Sequence, residues 1–286
     1  ADLSNSNLTG ADLRGTNLHG ANLYGIDLSG TDLTGANLSF QNLSSMDVSS
    51  IILDNTILYS TTLSGANLSG KNLSGLNIKL SNLTLTDFEF SDLSFAHLTN
   101  SAISAAKFSH TNLKNAHLND AYIINGNFSN SNISGVNFHH SAILNSDFRD
   151  TELNNVDFSN AIVANSNFDS QDFQYVDLTN VDFSPKITSG ILTSGSSFIN
   201  ADFSNKDLSS VIFSRENIDL LPTDVAWRAV TYVANLSGAN LSGTNLSGKN
   251  ISEVDNLVAV KFFEADLSNA DLSGSILIFA DLRFTD

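Results

Sequence analysis

The chain has 286 residues, a formal net charge of −17 and no cysteine. That charge argues against direct contact with a phosphate backbone and for solubility or a basic partner. The missing thiols exclude a disulfide framework, a thiolate metal site and a thiol nucleophile. No apolar run approaches the roughly 20 residues of a membrane span, and no signal peptide is evident.

From Leu3 to Phe183 every fifth residue is Leu, Ile, Val or Phe, 37 consecutive positions. Around each centre the dominant order is a small residue, Asp or Asn, the centre, Ser or Thr, and often Gly, as in Ala11-Asp12-Leu13-Arg14-Gly15 and Ala66-Asn67-Leu68-Ser69-Gly70. Period five matches neither a helix nor a straight strand, which would wet every second centre. The chain must therefore turn within each repeat. The small residue two places before the centre shares its face and points inward. Asx side chains that imitate turns and glycines that accept positive φ supply the corner.

This grammar resembles the pentapeptide-repeat family, whose motif is A(D/N)LXX. The resemblance implies an all-β fold, a right-handed quadrilateral parallel β-helix with four repeats to each coil. On that basis the chain makes about 14 coils, a rod on the order of 65 Å long. The centres Phe88, Phe108, Phe128, Phe148 and Phe168 are spaced by 20. They are expected to stack as an internal column of rings, which supports four sides from within the sequence.

In chain order, residues 1–85 are Leu-centred and rich in Asn, Ser and Gly, with Ile26, Gln41, Met46, Ile51, Lys71 and Leu76 at normally small inward sites. Lys71 is expected to lay its stem over the core and carry its head to water. Beyond Phe88 the centres shift to Phe. From Asp147 to Asp219 twelve acids face four bases, and Asp147, Asp157, Asp172, Asp177, Asp182, Asp202 and Asp207 all precede centres or continue that register. They are expected to point outward and to give this half of the rod a negative face.

Residues 184–197 interrupt the pattern, with Pro185 and Gly190 favouring a loop over a distorted coil. Residues 219–235, with Pro222 and Asp224 before an apolar stripe, read as a short capped helical insertion. It plugs the rod or presents Trp227 and Tyr232 to a partner. The organisation is thus a β-helix over 1–218, the insertion over 219–235, and a β-helix in shifted register over 236–286, with a further one-residue slip near residues 253–256. Both ends fall inside repeats, where open strand edges favour truncation or an end-to-end homodimer.

Little in the sequence points to catalysis. His97 and His117 share an outer column, as do Asp120 and His140. Neither pair has a third ligand or a nucleophile to complete a site, and there is no Gly-rich phosphate loop, HExxH or GxSxG. No cofactor, metal site, direct nucleic-acid contact or membrane association is expected. The reading is a non-enzymatic protein-interaction rod, a scaffold or effector-type module, whose protein partner is unidentified. The alternative follows from the resemblance, since some members of that family inhibit or protect DNA gyrase as acidic mimics of duplex DNA. In that case the seven aspartates above meet the topoisomerase, with residues 184–197 and the segment that holds Trp227 as candidate selectivity loops. Many Asn-Leu-Ser triplets, such as that at Asn67, would be glycosylated in a eukaryotic secretory pathway, which points to a bacterial, cytoplasmic setting.

Overall fold

The computed structural model describes residues 1–183 except 45, 47, 174 and 182, the pairs 187–188 and 191–192, and single positions between 196 and 246 (196, 198, 203, 208, 236, 239, 241, 242, 244 and 246). It also describes 260–285 except 271 and 273–276. Over these residues the chain is a right-handed quadrilateral β-helix in which each repeat is one side and one corner. Parallel bridges join residues 20 apart, from Asp2 with Asn22 through Asp157 with Asp177. Four coils hold true strands on one side: β1 (Ala102–Ser104), β2 (Tyr122–Ile124), β3 (Ala142–Leu144) and β4 (Ile162–Ala164), a parallel sheet in the order β1-β2-β3-β4. Among the described residues no helix is long and apolar enough to cross a membrane.

The repeat's grammar has a physical reading at every position. The outward residue donates to the coil before it and the centre donates to the coil after it, as Asn22 N to Ala1 O at 2.8 Å and Leu3 N to Asn22 O at 2.9 Å. Most corners close with a bond across three residues, as Ala11 N to Leu8 O at 2.9 Å. Its third residue is left-handed, as at Gly10 (φ 67°) and Asn130 (φ 58°), the arrangement of a type II turn. The Asp or Asn before the centre accepts the N–H of the residue after it, Thr9 N to Asn7 Oδ1 at 2.9 Å and Ser159 N to Asp157 Oδ1 at 2.8 Å. Asn and Asp are interchangeable in this role because either offers the same Oδ1.

The core is the stack of inward pairs. The column foreseen from the spacing of the centres is present: Phe88, Phe108, Phe128, Phe148 and Phe168 stack at 5.1, 4.8, 4.9 and 4.7 Å with their planes within 9°. Phe138 and Phe158 form a second column, 5.0 Å apart, which meets the first edge to face. Gly126 at an inward site makes room for this packing, since a Cβ there would lie 2.9 Å from Phe128 Cε2. Several inward Ser and Thr are satisfied by the coil before them: Thr56, Thr61, Thr86 and Ser101 each donate to a carbonyl 23 residues back, at 2.9–3.2 Å.

Long polar side chains at inward sites behave differently. Apolar ones such as Ile26, Ile51 and Leu76 are buried and leave the ladder intact. At Gln41, Lys71 and Gln171 the parallel bridge to the preceding coil is missing among the described residues: 22 with 42, 52 with 72, and 152 with 172. In each case a side-chain nitrogen takes a main-chain carbonyl instead. Gln41 Nε2 donates to Leu18 O at 2.8 Å, and Lys71 Nζ to Ser49 O and Ile51 O at 2.5 and 2.7 Å. Gln171, with its amide turned so that the nitrogen faces it, donates to Thr151 O at 2.9 Å. A polar head that cannot stay in an apolar interior finds a main-chain acceptor: at Lys71 and Gln171 it takes the carbonyl that the ladder N–H would use, and at Gln41 the corner carbonyl of Leu18. The head of Lys71 therefore bonds to backbone carbonyls, where the sequence suggested water.

Within the interruption at 184–197 the described residues are 187–188, 191–192 and 196. Ile187–Thr188 (β5) and Ile191–Leu192 (β6) pair antiparallel. The corner bond that ordinarily spans three residues here joins Ser196 N to Phe183 O at 3.4 Å. Phe198 stacks on Phe168 and Phe203 on Phe173, six repeats apart where four is the rule. Ten residues more than the rule thus separate the stacked rings, while Ser196 N returns to the corner of Phe183. Further on, Lys261 N donates to Ala239 O and Leu241 N to Lys261 O, a coil one residue longer than the others. The helical insertion expected over 219–235 lies outside the described residues.

Candidate interaction faces

The fold sorts outward side chains into four columns, because residues one coil apart stand over one another on one side. One column runs Asp87, Lys107, Asn127, Asp147, Asn167, and the next Asp92, Asn112, Asn132, Glu152. A third runs His97, His117, Asn137, Asp157, Asp177. The fourth, on the outside of β1–β4, runs Ala102, Tyr122, Ala142, Ile162 and carries no charge.

The aspartates singled out from the sequence do not share one face. Asp157 and Asp177 are bridged neighbours in one column, with Asp177 exposed and Asp157 half-buried. Asp147 lies on a different side. Exposed Asp172 is in register with Glu152, on the side between them. Asp182, Asp202, Asp207, Trp227 and Tyr232 lie outside the described residues. The expected negative face is therefore an acidic sleeve around three sides, broken by the apolar fourth. The chain turns a corner after every repeat, so acids at 147, 157 and 172 must fall on different sides.

Asp147 is also not a free anion. Arg149 folds back over it, Nη2 to Oδ2 at 2.7 Å and Nε to Oδ1 at 3.0 Å. Burial raises the Asp147 carboxyl, and the hydrogen bonds and charge of Arg149 outweigh it, so the net shift is downward. The same fork joins Arg14 to Asp12 and Arg283 to Asp281, where the arginine hydrogen bonds pull both carboxyls to about 2. Asp150 and Asp169 add their field to Arg149 from the neighbouring corner.

The histidines stack instead of converging. His97 and His117 lie 4.7 Å apart with planes 4° from parallel. Burial lowers the His97 pKa, and the charges of His117 and Lys79 lower it further. Asp120 and His140 approach to 3.9 Å on the surface. Among the described residues no group of three or more His, Cys, Asp or Glu is placed to hold a metal ion. A shallow recess of about 120 Å³ lies beside the Lys71 interruption, lined by Asp54, Asn55, Asn72 and Ser74. Its lining offers amide, hydroxyl and carboxylate oxygens without a base paired to a nucleophile.

The uncharged column on β1–β4 is what sequence reasoning missed. Its signal was available, since Ala102, Tyr122, Ala142 and Ile162 occupy the slot that elsewhere holds mostly Asp or Asn, at a spacing of 20. Nearby, Leu80, Leu85, Phe90 and Phe95 occupy the four left-handed corners of one coil and are all exposed. Such residues cost roughly 1–2 kcal/mol each for positive φ.

The family model for pentapeptide repeats matches the chain in eight copies, over residues 1–35, 31–70, 81–120, 102–139, 111–150, 151–184, 234–255 and 256–286. Among solved structures, the chain is similar to HetL, a pentapeptide repeat protein involved in heterocyst differentiation regulation in the cyanobacterium Nostoc. The two are 21% identical over 99% of this chain and 89% of that one, with a TM-score of 0.34. It is also similar to full-length QnrB1, a plasmid-mediated fluoroquinolone resistance protein, at 17% identity over 79% of this chain and 91% of that one, with a TM-score of 0.29. A pentapeptide repeat protein of the Arabidopsis thaliana thylakoid lumen is 29% identical over 44% of this chain and 67% of its own, with a TM-score of 0.23. No curated protein matches the chain.

Proposed function

The chain belongs to the pentapeptide-repeat family, and from that premise we propose that it is a non-enzymatic protein-interaction rod. The observation that carries this reading is the sorting of its surface: one uncharged side over β1–β4 and three polar sides that gather acids toward Asp177, on a backbone whose ladder holds each column in place. A rigid scaffold of this kind recognises partners by the pattern it displays. A cytoplasmic location is part of the proposal, supported by the many Asn-Leu-Ser triplets that a eukaryotic secretory route would expose to glycosylation.

One observation favours a second, sharper reading, mimicry of duplex DNA toward a topoisomerase such as DNA gyrase. Residues 141–180 hold seven carboxylates against Arg149 alone, a net −6 over two coils. At ~4.8 Å per coil this is about one charge per 1.6 Å of axis, beside ~1.7 Å for B-DNA. A basic saddle built for phosphates would meet a comparable charge density here.

Replacing Asp157, Asp172 and Asp177 together by Asn tests both readings while sparing the fold, because Asn keeps the Oδ1 that accepts the turn N–H. Gyrase supercoiling is measured with wild type and the triple variant at low and high salt. Salt-sensitive inhibition that the variant loses supports mimicry, and no effect at high protein concentration rules it out. The broader reading is tested by partner capture with the same pair of proteins at both salts. It fails if wild type retains no specific protein, or only proteins the variant retains equally at both salts.

A further inference from the structure

We propose that the β1–β4 side is a self-association surface on which two copies pack side by side and antiparallel, related by a two-fold axis between the levels of Tyr122 and Ala142. The sheet side is flat, and its outward column alternates small and large: Ala102, Tyr122, Ala142, Ile162, with Tyr122 49% and Ile162 40% exposed. A two-fold axis lying in the contact plane and perpendicular to the rod reverses height but keeps lateral position. Each column therefore faces itself upside down.

Under that operation Tyr122 of one copy meets Ala142 of the other, and Ile162 meets Ala102, a knob against a small residue at every level. Along the adjoining corner the same operation sets Asp120 against His140 of the second copy and Asn100 against Asn160, so the rim is complementary in charge as well. Asp120 and His140 are both exposed, 3.9 Å apart within one chain. A parallel pairing would instead set Tyr122 on Tyr122 and Asp120 toward a like level, and it gains neither fit. Isologous contact of this kind is the commonest route to closed dimers, and aligned sheets pack face to face at about 10 Å.

The other three sides bear the charge and repel a second copy, which leaves this side as the low-repulsion approach. The four levels span roughly 14 Å and about 15 Å across, on the order of 400 Å² for both copies, below the ~1,200 Å² at which stable interfaces begin. The association is therefore weak and reversible. Because the rods repel one another, it strengthens with salt, opposite to the response of an acid-mediated contact. This inference stands apart from the proposed function, because it uses none of the acids that reading needs.

The test is sedimentation equilibrium over a concentration series at low and high salt, with four proteins. Wild type is expected to dimerise with a dissociation constant that falls as salt rises. Ala142→Tyr sets ring against ring, and Tyr122→Ala removes the knob; each is expected to weaken the dimer tenfold or more. The swap Tyr122→Ala with Ala142→Tyr regenerates the same two-fold fit with the roles exchanged and is expected to restore the wild-type constant within about threefold. Both positions are outward, and thermal unfolding of each variant confirms an intact fold. A wild type that stays monomeric at millimolar concentration overturns the proposal. So does a dimer indifferent to Ala142→Tyr, or a swap that fails to restore association although it folds.

Discussion

Truncating Phe128 to alanine measures whether the ring column carries the stability that its geometry implies. The side chain is fully buried, stacked on Phe108 at 4.8 Å and Phe148 at 4.9 Å, with Phe138 edge-on at 5.9 Å. Removing a buried Phe costs about 3–5 kcal/mol, depending on how far the site can collapse. Here it cannot collapse far. The coils above and below are pinned by Phe128 N to Asp147 O at 2.8 Å and Phe108 N to Asn127 O at 2.7 Å, so the rings on either side cannot close the gap. The two lost stacks, each worth roughly 0.5–1.5 kcal/mol beyond area, also place the loss in the upper half of that range. Phe128→Leu, which keeps most of the volume, should cost about 1–2 kcal/mol. Urea unfolding gives the total, and native-state hydrogen exchange locates it. Because solenoid stability is a sum over neighbouring coils, protection should fall most between residues 108 and 148. A loss below about 1 kcal/mol, or a loss of protection spread evenly along the rod, would refute the reasoning that these rings bind coil to coil.

Two further predictions follow from polar groups. Ser141 Oγ is buried without a hydrogen-bond partner, between inward Ala121 and Ala161 in the same column. Ser141→Ala removes an unsatisfied group where alanine already fits, and it should stabilise the protein by about 1 kcal/mol, read as a rise in the urea midpoint. The carboxyls of Asp2, Asp12, Asp27, Asp32, Asp147, Asp266 and Asp281 are all held below their ordinary value of 3.8 in the folded chain. A depressed folded pKa contributes stability that is complete above the unfolded value and is lost as pH falls through the folded one. Stability should therefore be flat in this respect down to about pH 4 and fall between there and about pH 2, the value at Asp12 and Asp281. Circular dichroism against pH checks the window. A transition complete above about pH 5 would mean that these turn bonds do not set it.

The order of the repeat was legible because it is local. A centre in every repeat, a small inward partner and a turn-forming Asx each act within a few bonds of the backbone. Once four repeats per coil are granted, the Phe88 to Phe168 column follows from arithmetic. The same arithmetic holds the Ala102, Tyr122, Ala142, Ile162 column, but an alternation of small and large on an outer side means nothing until it is seen as a flat, uncharged sheet. The acids show the reverse: their outward direction was readable, while their division among three sides follows from the corner that closes every repeat.

What the sequence by itself determined, then, is the turn within every repeat, the apolar interior and which positions face inward or outward, since these are dictated by short-range chain geometry. Only the tertiary structure decided where long polar side chains finish. Lys71 and Gln171 take carbonyls that the backbone ladder otherwise uses, and Gln41 takes the corner carbonyl of Leu18 in the coil before it. Only the tertiary structure showed, too, that Ser196 returns to the corner of Phe183, ten residues later than the repeat requires. At Lys71, Gln41 and Gln171 the outcome depends on the groups that the neighbouring coil places within reach, and that neighbour lies a full turn of the helix away along the chain.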